Sequence, residues 1–211
     1  MRTDQPHIRP CACPTPEARS AGDAKLARAA DGRRFAIRRM SREDRPLLEA
    51  GLAGLSPRSR YMRFHSPLPK LSSRLVDQLM DFDGDRHVAY AALTPDRGTL
   101  VGVARYVRLE EDRVAEVSIG IADEWQRAGV GALLLNRLIG HARRAGIESL
   151  VAVTLSGNRP ARALAQHAGF AADGAGGGYS SHRLELPGRL PRAAGGRRLD
   201  GEERPLGGTA A

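Results

Sequence analysis

The stretch from Val114 to Gly169 constrains the fold more than any other part of the chain. An apolar run with a charged residue near its start, Val114–Ile121, passes through Ala122-Asp123-Glu124-Trp125-Gln126-Arg127-Ala128 into a helical pattern over 130–145, closed by Gly146. A second apolar run over 150–155 then leads through Asn158-Arg159-Pro160 into a helical pattern over 160–167, closed by Gly169. Strands separated by a helix cannot be joined as a hairpin. The crossover makes them parallel neighbours and lays the helix on a face of their sheet.

The remaining folded sequence supplies an antiparallel half. Phe35-Ala36-Ile37-Arg38-Arg39 reads as an edge strand, and Ser41 with Asp44 forms a capping box for a helix carrying Leu47, Leu48 and Leu52. Ser56 and Pro57 fit the N-cap and first position of a short helix through Phe64, and residues 72–80 fit another. Strands over 87–94, 100–109 and 114–121 follow closely, parted by Pro95-Asp96-Arg97-Gly98 and Glu110-Glu111-Asp112, which predicts an antiparallel meander. Residues 179–186 supply a last strand. The fold class is therefore mixed α/β in a single domain over 34–186. Residues 1–33 and 187–211 lack a core-forming period and read as disordered extensions.

Charge and cysteines narrow the function. The formal charge of +9 would suit a nucleic acid, but the arginines are scattered, and Arg189, Arg192, Arg197, Arg198 and Arg204 lie in the C-terminal tail. We read them as solvated charge, with no nucleic-acid partner. Cys11 and Cys13 stand in a Pro-rich stretch without the second pair or histidine ladder of a zinc site, so no metal is expected. No apolar run reaches membrane-spanning length, and the start, with Asp4, Pro6 and His7, lacks a signal-peptide core. The expected compartment is the cytoplasm, with no membrane partner.

Chemistry concentrates at the turn from the 114–121 strand into its helix. In Gln126-Arg127-Ala128-Gly129-Val130-Gly131-Ala132 two glycines open the helix, letting backbone N–H groups approach a ligand where the helix end is partly positive. That suits a pyrophosphate. No Gly-Lys-Ser or Gly-Lys-Thr follows, so the turn is not a P-loop, and the third glycine of a dinucleotide turn is absent.

These residues resemble the GNAT acetyltransferase family, whose signature of Gln or Arg, two residues, Gly, one residue, then Gly or Ala corresponds to Gln126, Gly129 and Gly131. Asn158-Arg159-Pro160, Leu164 and Gly169-Phe170 resemble the family's second motif, and the resemblance covers about 35–186. It implies a mostly antiparallel sheet with a splayed parallel strand pair, and acetyl-CoA as co-substrate. By resemblance, Ile119 and Ile121 would offer backbone contacts to pantetheine. The amides of Gln126, Arg127, Ala128, Gly129, Val130, Gly131 and Ala132 would hold the pyrophosphate. Asn158 would make a polar contact or serve only as an N-cap.

An ammonium acceptor must lose a proton before it attacks a thioester. Alternation along 114–121 sends Val117, Ile119 and Ile121 to one face and Glu116, Ser118 and Gly120 to the other. A charged residue in an apolar strand is costly unless paired or facing a cleft, so Glu116 is the candidate general base; a salt bridge to Arg105 is its structural alternative. The resemblance favours the base, because the protein-lysine acetylating branch has its Glu at this point of the strand. Many small-molecule members carry a Tyr where this chain has Ala165, which leaves the general acid open, with His167 and Tyr179 as remote substitutes.

Leu55-Ser56-Pro57-Arg58-Ser59-Arg60-Tyr61-Met62-Arg63-Phe64, together with Arg86-His87-Val88-Ala89 and Val101-Gly102-Val103-Ala104-Arg105-Tyr106, is similar to the acetyltransferase domain of bacterial protein-lysine acetyltransferases that act on acyl-CoA synthetases. The resemblance thus implies a protein lysine as acceptor. A small amine such as a polyamine, amino sugar or antibiotic, or a non-catalytic acyl-CoA sensor, are the other readings, and the oligomer is a monomer or dimer. Arg60, Tyr61, Arg63 and Phe64 would face the acceptor side, with a core role expected for the two aromatics.

Overall fold

The central strand shows how this sequence builds two cores. The computed structural model of the chain describes residues 24–67, 72–96, 98–111 and 113–187, and in it β3 (His87–Leu93) is buried at every position. Its alternate residues part company. Val88, Tyr90 and Ala92 join one apolar cluster, and Ala89, Ala91 and Leu93 join another on the opposite face. A strand covered on both sides reads as an unbroken apolar run, as His87-Val88-Ala89-Tyr90-Ala91-Ala92-Leu93 does after its first residue.

The first face is covered by α4 (Val130–Arg144), whose Val130, Leu134, Leu138 and Ala142 recur every four residues and are each 0% exposed. The second is covered by α1 (Arg45–Ala53), α2 (Pro57–Phe64) and α3 (Ser73–Leu79), which contribute Leu48, Leu52, Val76 and Leu79 to the second cluster, with Phe64 packed against it. Truncating Leu138 to Ala would cost about 2–5 kcal/mol, the range for fully buried leucines.

The other strands are β1 (Lys25–Arg28), β2 (Arg34–Arg39), β4 (Leu100–Arg108), β5 (Val114–Ile121), β6 (Ser149–Leu155), β7 (Ala171–Gly176) and β8 (Tyr179–Glu185), with α5 (Arg159–His167) between β6 and β7. They form one sheet in the order β1-β2-β3-β4-β5-β6-β8-β7. The meander β3-β4-β5 is antiparallel and β5 pairs with β6 in parallel, as the sequence predicts.

Two elements correct that reading. Lys25–Arg28 pairs with β2 over four residues, so the folded unit begins before residue 34 and Phe35–Arg39 is not an edge. β7 pairs with β8 although every one of its residues, Ala-Ala-Asp-Gly-Ala-Gly, is exposed. Both are outer strands joined through backbone hydrogen bonds, with little apolar side-chain burial to mark them in sequence. The remaining expectations for disordered tails, over 1–23 and 188–211, lie outside the described residues.

The predicted capping residues do more than cap. Asp44 accepts the Ser41 N–H at 2.9 Å and holds Arg38 through two bonds of 2.7 and 2.6 Å. Burial pushes the Asp44 carboxyl pKa up, but the Arg38 guanidinium and the Ser41 N–H outweigh it and leave the group below its ordinary value.

Candidate active site

β5 and β6 start as partners and then separate. Val114, Ala115 and Glu116 pair with Ser149, Leu150 and Val151, whereas β5 runs on to Ile121 and β6 to Leu155 without further mutual pairing. β6 instead keeps β8 along its whole length. The edge of β5 beyond Glu116 therefore faces a gap. That gap is a cleft of about 290 Å³ lined by Glu116, Ser118, Ile119, Thr154, Asn158 and Leu164 among others.

Leu135 of α4 lines the same cleft, and the turn into that helix follows directly from β5. After the 3-10 turn Asp123–Trp125 the chain reverses through Arg127 (φ 59°) and Gly129 (φ 82°), and the helix begins at Val130. The first N–H groups of α4 have no intrahelical acceptor and present partial positive charge. Gly129 is needed for its left-handed backbone, and a Cβ placed there would meet nothing within 4 Å, so a ligand has room to approach the peptide. Gly131 answers to packing as well: its Cβ would lie 3.2 Å from Leu164 Cδ2 on α5. These residues fit a pyrophosphate.

Neighbouring segments brace the turn. Ala30 N–H donates to Ala128 C=O at 2.9 Å, Arg33 donates to Glu124 C=O at 2.9 Å, and the Arg33 guanidinium stacks 3.8 Å above Trp125. Trp125 in turn meets Phe35 edge to face at 6.2 Å. The segment expected to be an extension thus supports the cradle. On the other side, Asp123 accepts from Ser56 N–H at 2.9 Å and from the Ser56 and Ser59 hydroxyls at 2.8 and 2.6 Å. Gln126 Nε2 donates to Ser59 Oγ at 3.0 Å and to Ile121 C=O at 3.2 Å. Burial raises the Asp123 carboxyl pKa, and the bonds from Ser56 and Ser59 outweigh it to leave the pKa lowered.

This clamp fixes α2, and one turn after Ser59 it sets Arg63 over β5. Arg63 Nη2 donates to Ser118 Oγ at 3.0 Å, and Arg105 Nε on β4 donates to the same oxygen at 3.1 Å. Burial lowers the Arg63 pKa to about 10, aided by the nearby Arg105 charge and opposed by Glu116. Arg105 is shifted down for the same first reason. His65, which caps α2 with φ 56°, is lowered by burial and then by Arg63, so its imidazole is neutral at pH 7.

The faces of β5 are as alternation predicts: Val117, Ile119 and Ile121 belong with the α4 cluster, and Ser118 turns toward α2. Glu116 is exposed to the cleft. Arg105 engages Ser118 and His87, and the alternative role for Glu116, a salt bridge to Arg105, is not among the ion pairs of the described residues. Asn158 Oδ1 caps α5 by accepting Ala161 N–H at 3.2 Å, while the residue also lines the cleft. Ala165 is buried in the cleft wall. His167 is exposed. Tyr179 packs its ring 5.4 Å from His65. Phe64 packs against the core as expected, whereas Tyr61 is 43% exposed and does not. The Arg63–Ser118–Arg105 group and the Asp123 clamp were missed, although the four-residue spacing of Ser59 and Arg63 puts both on one helix face. Among the described residues no helix is long and apolar enough to cross a membrane, and no cluster of three or more metal-ligating side chains occurs.

Compared with known proteins, a family model described as the acetyltransferase (GNAT) family matches residues 57–170. An acetyltransferase of Pseudomonas aeruginosa is 36% identical over 151 residues, which are 71% of this chain and 81% of that protein. The acetyltransferase Pat of Mycolicibacterium smegmatis is 28% identical over 120 residues, 56% of this chain and 36% of that one. Of solved structures, the GNAT domain of S. lividans PAT aligns with a TM-score of 0.72 at 25% identity, covering 77% of this chain and 97% of that domain.

Proposed function

The chain belongs to the GNAT acetyltransferase family and is an acyl-CoA-dependent N-acetyltransferase, and we propose that it acetylates a protein lysine with Glu116 as general base. The observation that carries the base assignment is a carboxylate on β5, exposed to the cleft beside the point where β5 and β6 part. The lysine acceptor rests on the resemblance of 55–64, 86–89 and 101–106 to protein-lysine acetyltransferases.

Acetyl-CoA supplies the electrophilic thioester carbonyl. The first N–H groups of α4 over 129–132 would hold its pyrophosphate, and the edge of β5 at Ile119 and Ile121, which β6 leaves without a strand partner, its pantetheine amides. Asn158 uses Oδ1 as a cap, which leaves its NH2 to donate into the cleft. Glu116 removes a proton from the acceptor ammonium, so that the amine lone pair can form the C–N bond as the C–S bond breaks, and the nitrogen gives up its second proton to solvent as the amide forms. Ala165 offers no proton to the departing sulfur. A thiolate of pKa about 8.5 leaves without one and is protonated by solvent.

Thermal melting with and without acetyl-CoA tests the co-substrate, because a ligand bound only to the folded state raises its stability. An upward shift is expected, and no shift at saturating ligand would refute the assignment. Incorporation of acetyl label into a lysine of a purified acyl-CoA synthetase tests the acceptor; label appearing only in small amines would remove the lysine reading.

A further inference from the structure

Two half-buried cations meet at one neutral oxygen beside the proposed base. Arg63 Nη2 and Arg105 Nε both donate to Ser118 Oγ, at 3.0 and 3.1 Å, so these nitrogens are no more than about 6 Å apart, well within strong mutual repulsion at low dielectric. A hydroxyl accepts both bonds without cancelling either charge. On its far side Arg105 Nη1 lies 3.4 Å from His87 Nε2, and His87 Nδ1 is bound to the Asp81 carbonyl at 2.9 Å. Burial and Arg105 keep that imidazole neutral, so it too supplies no negative charge. Glu116 is the acid whose charge reaches both guanidiniums, and it forms no ion pair with either among the described residues.

Two half-buried guanidiniums that share only a neutral hydroxyl, with no carboxylate bonded to either, are costly to hold together. Here they are held in place by the Ser56–Asp123–Ser59 clamp on one side and by His87 on the other, which fixes the donors before any ligand arrives. They also stand at a junction. Arg63 lines the cleft that contains Glu116, and Arg63 and Arg105 both line a smaller apolar cavity under α1 and α2, walled by Leu52, Phe64 and Val103. The pair lies on the face of β5 that carries Ser118, across the sheet from α4, so it is separate from the pyrophosphate cradle.

We propose that Arg63 and Arg105 form an anion subsite on the acceptor side, which takes a carboxylate carried close to the amine that Glu116 deprotonates. This rests on the acetyltransferase reading above and narrows its acceptor. A carboxylate would give each guanidinium a charge-assisted bond and neutralise the pair, with Ser118 retained between them. An acidic residue beside a target lysine and the carboxylate of a free amino acid offer the same chemistry. Polyamines and amino sugars, which bring further positive charge, are disfavoured.

The test is calorimetric titration of the CoA-saturated protein with two matched pairs of probes. The first is N-acetylglycine against N-acetylglycinamide; the second is an acetyl-lysine peptide flanked by Asp against the same peptide flanked by Asn. At least one carboxylate probe should bind about tenfold more tightly than its neutral partner, the equivalent of about 1.4 kcal/mol. R63M and R105M should each abolish that preference while keeping the melting shift given by CoA. Discrimination in the peptide pair alone assigns the carboxylate to a protein, and discrimination in the acetylglycine pair alone assigns it to a free amino acid. Equal binding within both pairs, or a preference that survives both substitutions, overturns the proposal. If CoA itself fails to bind, the transferase reading falls, and the same titrations on the free protein still decide whether the subsite exists.

Discussion

Glu116 and Asp44 show how the setting of a carboxylate decides its work. Glu116 stands on a strand with its acid exposed to the cleft, available to take a proton. Glu116→Gln should lower kcat/KM by about 100-fold or more, the usual contribution of a positioned base, while the acetyl-CoA melting shift stays as in the parent protein. Unchanged turnover would remove the base assignment. Asp44 is instead locked to Arg38 and the Ser41 N–H, with its side chain 9% exposed. Its folded pKa is depressed, so the stability it confers is complete above the unfolded value of about 3.9 and is lost as pH falls through the folded value. Asp44→Asn should cost about 2 kcal/mol at pH 7, and melting curves of the two proteins should converge below about pH 4.

At the scale of the element, the entry to α4 combines two kinds of glycine. Gly129 supplies a positive φ and open space, whereas Gly131 admits Leu164 of α5. Gly129→Ala should destabilise the protein by about 1–2 kcal/mol through left-handed strain. It should also weaken acetyl-CoA binding, measured by titration, because the new methyl occupies the approach to the peptide. An affinity equal to that of the parent would show that the ligand passes elsewhere. The α2 clamp makes a different prediction. Asp123→Asn leaves the cradle backbone intact but loosens Ser56 and Ser59, and with them Arg63. Its expected signature is a raised acceptor KM, with KM for acetyl-CoA changed less.

Taken as a whole, the molecule places its reporter where the ligand is expected. The chain has one tryptophan, and Trp125 is buried directly before the cradle, between Phe35 and Arg33. Binding of acetyl-CoA should therefore change its intrinsic fluorescence saturably, with the same midpoint as the melting shift. A melting response with no change at Trp125 would place the ligand away from the turn. This coupling exists because the sheet continues through β2 to β1, whose following turn donates Ala30 N–H to Ala128.

Local patterns were enough for much of this. The strand and helix succession over 114–169, the faces of β5, the caps at Ser56 and Asn158, and the glycine turn all follow from side-chain period and backbone preference, which act between near neighbours in the chain. β1 and β7 do not, because exposed outer strands are held by backbone bonds that carry little side-chain signature. Nor does the meeting of Arg63 with Arg105 at Ser118, three residues on three elements whose proximity depends on where α2 docks across the sheet. The separation of β5 from β6 beyond Glu116 has the same origin: both sequences continue as strand-forming runs past that point, and only the twist and packing of the assembled sheet decide where their pairing stops.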